Sequence, residues 1–265
     1  MKLLYREYGS GPPIMIIHGL YGSSDNWVSI ARSLSDEFRV IIPDLRNHGN
    51  SPHSELHTYE AMSDDIMELA DSAGLGKFII AGHSMGGKVA LRFTARWPER
   101  IAGLIVLDIS PFRADPVKNR SIDQHMDILR LMNEIDPATL TSRDEAEAKF
   151  FEKIPSERIT AFLLKNLARN EKGSFRWKLN PRYLLDNIDN IMEGVERKDY
   201  PDHTMTGFPV LFLRAENSGY ISDEDIKDIY TLFPAAEIVT IKETSHWLHA
   251  EKPELITDYI RDFAS

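Results

Sequence analysis

The sequence contains no cysteine. That excludes disulfides, thiolate nucleophiles and thiolate-bound zinc or iron–sulfur centres, and it suits a reducing cytoplasm. Positive charge is also short. The chain has 31 Lys and Arg against 41 Asp and Glu, a formal net charge of −10. Such a surface repels phosphate backbones and anionic lipid, so neither nucleic acid nor a membrane is an expected partner. No apolar run reaches the ~20 residues of a membrane span. The opening "MKLLYREYGSGPP" meets Arg6 and Glu7 too early to read as a secretory leader. Internal repeats and low-complexity segments are lacking as well. What is present is 265 residues with 42 % hydrophobic content, enough for one large domain or a core carrying an insertion. The expectation is a cytoplasmic protein, monomer or homodimer.

Short apolar runs recur along the chain. "IMIIH" (14–18), "RVIIPD" (39–44), "KFIIAG" (77–82), "GLIVLD" (103–108), "PVLFLR" (209–214) and "AEIVTI" (236–241) read as strands. They are nearly continuous in apolar character, as strands buried on both faces of a parallel sheet are. "LLYREY" (3–8) adds an edge strand. Helical patterns near 25–34, 58–73, 86–97, 223–233 and 247–263 fall between the runs. This alternation predicts an α/β fold: a mostly parallel central sheet with helices on both faces. From Pro111 to about Asp202 there is no convincing strand, only helical stretches near 121–134, 142–152, 156–169 and 181–196. That is too long for a crossover and reads as an inserted helical cap over 111–202, with the core in 1–110 and 203–265.

"AGHSMGG" (81–87) follows one strand and opens a helix. Gly82-His83-Ser84-Met85-Gly86 is G-x-S-x-G, the spacing of a tight strand-to-helix turn that thrusts a serine hydroxyl outward. The sequence lacks the Lys-Ser/Thr of a phosphate-binding loop, so Ser84 is the candidate nucleophile. "HGLYGSSDNW" (18–27) follows the first long strand, and the N–H groups of Leu20 and Met85 are candidate donors to a developing oxyanion. Nine histidines are present. His246, in "TSHWLHAEKPEL" between the last strand and the last helix, completes the chain order Ser, acid, His and is the candidate base. His83 lies within the elbow and is expected to point away from the reaction. His48, His53 and His57 have weak metal-ligand spacing and read as solvated loop residues. Neither a metal nor a cofactor is expected.

These segments resemble the α/β-hydrolase superfamily over nearly the whole chain. "GSSDNW", "RNHGNS", "LDISP" and the cap motif "FRWKLN" (175–180) resemble, more narrowly, the YbfF-type small serine esterases and acyl thioesterases. The resemblance implies a carboxylic-ester hydrolase working through an acyl-enzyme on a small-molecule ester or thioester of short-to-medium acyl length. It leaves open an acyl-CoA thioesterase, a carbon–carbon bond hydrolase, a menaquinone-pathway lyase and, in a different class, a ligand receptor on a hydrolase fold.

The acid departs from the common family pattern. "PVLFLR" should end in Gly-x-x-Asp, yet Ala215 and Ser218 stand at those two places. Serine cannot supply the buried negative charge that stabilises imidazolium. Glu216 is two residues early, and Asp223 reads as the start of a helix. "GLIVLD" ends in Asp108, on a strand that neighbours "PVLFLR" in this fold, and the resemblance through "LDISP" implies Asp108 as the acid. Ser218 is then expected to support it by donating to Asp108, or to be a small turn residue. Tyr21, Trp27, Trp177, Tyr220 and Trp247, with Met85 and Phe112, are candidates to line the substrate pocket beneath the cap. Arg113, Lys118, Arg120, Arg176 and Lys178 place positive charge around it, each otherwise a solvated cation.

Overall fold

The chain opens with β1 (Tyr5–Tyr8), β2 (Pro13–Ile17), α1 (Val28–Leu34), β3 (Arg39–Pro43), α2 (Tyr59–Ser72), β4 (Phe78–His83), α3 (Met85–Arg96) and β5 (Ile101–Leu107). A second stretch holds α4 (Ser121–Glu134), α5 (Arg143–Lys153), α6 (Glu157–Leu164), β6 (Leu167–Arg169), β7 (Phe175–Trp177), α7 (Pro181–Asp186) and α8 (Ile188–Met192). The chain closes with β8 (Val210–Ala215), α9 (Asp223–Leu232), β9 (Glu237–Ile241), α10 (Leu248–Glu251) and α11 (Pro253–Ala264). The structure is a computed structural model and describes residues 1–113, 121–200 and 204–265.

The main sheet has the order β1-β3-β2-β4-β5-β8-β9. β1 runs antiparallel to β3, and every other pairing is parallel. Strand alternation explains why the apolar runs are continuous. Ile14, Ile16, Ile42, Ala81, Ile105 and Leu213 pack on one face with α1 and α11. Met15, Ile17, Ile41, Ile80, Val106 and Phe212 pack on the other with α2 and α3. Both faces are covered, so neither set of positions is free to be polar.

The register decides where chemistry can occur. His83 pairs with Leu107, and Leu107 with Leu213. The C-terminal ends of β4, β5 and β8 therefore lie side by side, and residues just beyond them share one edge of the sheet.

The helices between β5 and β8 start where serines and asparagines cap them. Ser142 accepts from Glu145 N, Ser156 from Ile159 N and Asn180 from Tyr183 N. Their apolar faces, including Leu129, Phe150, Leu163 and Leu184, join the same cluster as α2 and α3.

Three expectations are corrected. The stretch between β5 and β8 is not purely helical, because β6 and β7 pair as an antiparallel hairpin around a turn at Asn170–Gly173. The helix expected over 156–169 accordingly ends at Leu164. The helix expected over 247–263 is two helices, broken at Lys252 ahead of Pro253, whose ring cannot continue a helix begun upstream.

Candidate active site

Ser84 stands at φ 52°, ψ −120°, between β4 and α3. The flanking glycines are steric necessities. A Cβ on Gly82 would lie 2.2 Å from the Gly86 carbonyl oxygen, and one on Gly86 would lie 2.4 Å from that of Ile17. The turn is pinned by Ser84 N donating to Leu107 O at 3.0 Å. Its hydroxyl is left facing the C-terminal edge of the sheet.

Ser84 Oγ is 2.9 Å from His246 Nε2, and His246 Nδ1 is 2.8 Å from Asp108 Oδ2. Asp108 is fully buried. Its second oxygen accepts from Ala215 N at 2.9 Å, and its own N–H donates to Leu213 O at 2.8 Å. An ionised carboxylate only accepts, so His246 carries its proton on Nδ1 and presents Nε2 as an acceptor to Ser84. Tyr220 stacks on the His246 ring with centroids 3.9 Å apart. His83 Nε2 donates to His246 O at 2.7 Å. His83 therefore buttresses the main chain of the candidate base and does not line the cavity that contains Ser84. Burial holds its imidazole well below the ordinary histidine range.

The other carboxylates are engaged elsewhere. Glu216 pairs with Lys242 at 2.7 Å, and Asp223 with Arg214 at 2.7 Å. Ser218 Oγ accepts from Tyr220 N at 3.3 Å, as a turn residue does. The expected donation from Ser218 to Asp108 is replaced by the main-chain N–H of Ala215.

The loop after β2 passes directly over the elbow. A Cβ on Gly19 would lie 2.9 Å from His83 Nδ1 and 3.2 Å from Ser84 Cβ, so a glycine eases this close approach. Gly22 N closes the turn on Gly19 O at 2.9 Å. Leu20 and Met85 both line the cavity that contains Ser84. Met85 is the first residue of α3, where N–H groups lack an intrahelical partner. His18 steadies the loop: its Nε2 accepts from Leu45 N at 3.0 Å, so Nδ1–H donates to Gly19 O at 2.9 Å.

The cavity measures about 260 Å³. Of the six aromatic residues expected to line it, Tyr220 and Phe112 do. Trp27 lies beneath the other sheet face, 1 % exposed and stacked on His249. Tyr21 is buried against His125 beside the cavity. Trp177 donates to Met132 O and packs edge-on to Phe150 within the helical stretch. Trp247 packs against Phe162 and under Arg158. Phe112 and Arg113 do line the cavity, with Tyr59, Lys88, Ile109 and His125. Burial, reinforced by nearby Arg113, pushes the Lys88 ammonium down to about 8. Burial likewise takes His125 down to about 4. Arg176 is exposed, Lys178 pairs with Asp25, and Lys118 and Arg120 lie outside the described residues.

His48 and His57 are fully buried rather than solvated, whereas His53 is exposed. Among the described residues no group of three His, Asp or Glu side chains is arranged to hold a metal ion. Among them, too, no helix is long and apolar enough to cross a membrane.

Residues 12–253 match the alpha/beta hydrolase fold family, and the chain belongs to it. Within that family it is 37 % identical to the sn-1-specific diacylglycerol lipase ABHD11 of Danio rerio, over 92 % of this chain and 76 % of that protein. It is 33 % identical to esterase YbfF of Escherichia coli (strain K12), over 95 % of this chain and 92 % of that one. The solved structure of a marine microorganism esterase is similar at a TM-score of 0.91 and 42 % identity, with 99 % of each chain covered.

Proposed function

We propose that the chain is a serine carboxylic-ester hydrolase with Ser84 as nucleophile, His246 as general base and Asp108 as the acid. The observation that carries this reading is the unbroken hydrogen-bond relay from Ser84 Oγ through both imidazole nitrogens to Asp108. Ser84 attacks the ester carbonyl while His246 Nε2 takes its proton, and Asp108 stabilises the imidazolium that forms. The carbonyl oxygen becomes an oxyanion and is met by the N–H groups of Leu20 and Met85, each such donor contributing about 10²–10³ in rate. His246 then gives its proton to the departing alcohol, leaving an acyl-enzyme. Water repeats the sequence and releases the acid.

The helices of 111–202 act as a cap over this site, closing the cavity from above with His125, Ile191 and Met192. A space of about 260 Å³ suits short-to-medium acyl groups. The esterase and lipase relatives support an ester rather than another acyl bond. All three triad members come from one chain, which suits a monomer or homodimer, and the lack of cysteine supports a cytoplasmic setting.

The test is turnover of p-nitrophenyl esters from C2 to C16, and of matched acyl-CoA thioesters, with Ser84→Ala as the blank. Multiple turnover of short esters that vanishes in the blank is expected. A single slow turnover with product retained would instead identify a receptor.

A further inference from the structure

Tyr21 occupies an unfavourable backbone position for its size. It is the third residue of the turn closed by Gly22 N on Gly19 O, and its φ is +63°. Turns with positive φ at that place ordinarily use Gly or Asn. A glycine would meet the backbone demand, but it would carry no handle by which the turn could be held.

The helical segment holds Tyr21 at two points. Asn166, buried just beyond α6, donates Nδ2 to Tyr21 O at 2.8 Å. His125 on α4 receives the side chain: the Tyr21 hydroxyl is 3.2 Å from His125 Nδ1 and 3.3 Å from His125 O. With the hydroxyl proton given to the carbonyl, Nδ1–H donates back to the Tyr21 oxygen, and Nε2 is free to accept from the Tyr220 hydroxyl at 3.3 Å. The Tyr220 ring in turn lies flat on His246. Contacts from two separate cap elements thus converge on the residue that follows Leu20.

We propose that Asn166 and His125 are positioning residues. They hold Tyr21 in its left-handed conformation, and thereby hold the Leu20 N–H where the oxyanion forms. The cap is then part of the catalytic apparatus and not only a cover. This inference rests on the serine-hydrolase reading and deepens it.

The physical consequence is specific. Losing either anchor lets the turn relax and draws the Leu20 donor away from the reacting oxygen. Substrate in its ground state makes little use of that donor, so KM should hold while kcat falls.

The test uses the full chain with Tyr21→Phe, Asn166→Ala and His125→Phe, assayed on p-nitrophenyl acetate and with an aryl trifluoromethyl ketone. The ketone accepts Ser84 Oγ at its carbonyl carbon, the serine proton passes to His246, and the carbonyl oxygen becomes an oxyanion. Its affinity therefore reads the oxyanion site directly. In each variant kcat and ketone affinity should fall together by about tenfold, less than full loss of a donor, with KM within about twofold. Tyr21→Phe removes a single oxygen from a side chain of unchanged shape, so it remains readable if Asn166→Ala fails to fold. If Ser84→Ala abolishes turnover but Tyr21→Phe retains kcat and ketone affinity within about twofold, the positioning role is wrong and the hydrolase reading stands. If Ser84→Ala keeps its turnover, the hydrolase reading itself is lost.

Discussion

Asp108 is fixed at both carboxylate oxygens, one by His246 Nδ1 and the other by Ala215 N. The second bond comes from the strand on which the common family pattern carries its acid. In the proposed triad the acid lies on the neighbouring strand, and the strand of Ala215 supplies a backbone donor to it. This arrangement separates two substitutions at adjoining strand ends. Asp108→Asn keeps the shape but favours the wrong imidazole tautomer, and kcat for p-nitrophenyl acetate should fall by about 10⁴. Ser218→Ala removes a hydroxyl that accepts from Tyr220 N at 3.3 Å, with the Ala215 donor left in place. It should change kcat by no more than a few-fold. Steady-state kinetics on the two purified variants checks both values, and comparable losses would mean that Ser218 is part of the relay.

At the scale of elements, the strands were legible because burial on both faces leaves a continuous apolar signature. The elbow was legible because its glycines answer a steric demand that the structure bears out at Gly82 and Gly86. Asp108 was legible only through the resemblance and the adjacency of two strand ends, which the pairing of Leu107 with Leu213 supplies. The pocket was legible only in part: Tyr220 and Phe112 line it, but the tryptophans expected there do not. Trp27 closes the segment that follows β2, yet the short helical turn at Ser24–Trp27 points it under the sheet onto His249. β6 and β7 are three residues each, too short to print an alternation. His125 reaches the cavity through tertiary packing, for which no local pattern exists. Lys88 illustrates what that packing does. One turn beyond Ser84 on α3, its ammonium donates to Glu193 O and, at 3.3 Å, to Met192 O at the end of α8. Lys88→Met fills similar space but removes the donor from the partly solvated carbonyls of Met192 and Glu193, at about 1 kcal/mol. A thermal melt should show Tm lowered by several degrees, and α8 amides should exchange hydrogen faster.

At the scale of the whole molecule, acid acts on two opposing terms. The net charge of −10 implies self-repulsion that relaxes as carboxylates protonate. Against this stand six enclosed histidines, His18, His48, His57, His83, His125 and His249, whose affinities for a proton are all lowered, chiefly by burial. His57 and His249 are taken to about 3 and His125 to about 4. Each is neutral in the folded state, and His18 must be neutral to accept from Leu45 N. The unfolded chain binds these protons near pH 6.5, whereas in the folded chain His57, His125 and His249 do not bind theirs until about pH 3–4, and these three set the expected slope. Stability from this source is therefore complete above about pH 6.5 and lost as pH falls from there towards the folded values. Each such histidine contributes a slope of about 1.4 kcal/mol per pH unit within that window. Carboxylates titrate mainly below it, at about pH 4, so the histidines decide the sign between pH 6.5 and 5. Urea titrations should give an unfolding free energy that is flat above about pH 7 and falls by several kcal/mol by pH 5. His249→Phe retains a ring to stack on Trp27 at the 4.6 Å spacing of the parent pair but cannot take a proton. It should flatten the slope by about one proton's worth, and an unaltered slope would show that His249 is not among the groups that acid recruits on unfolding.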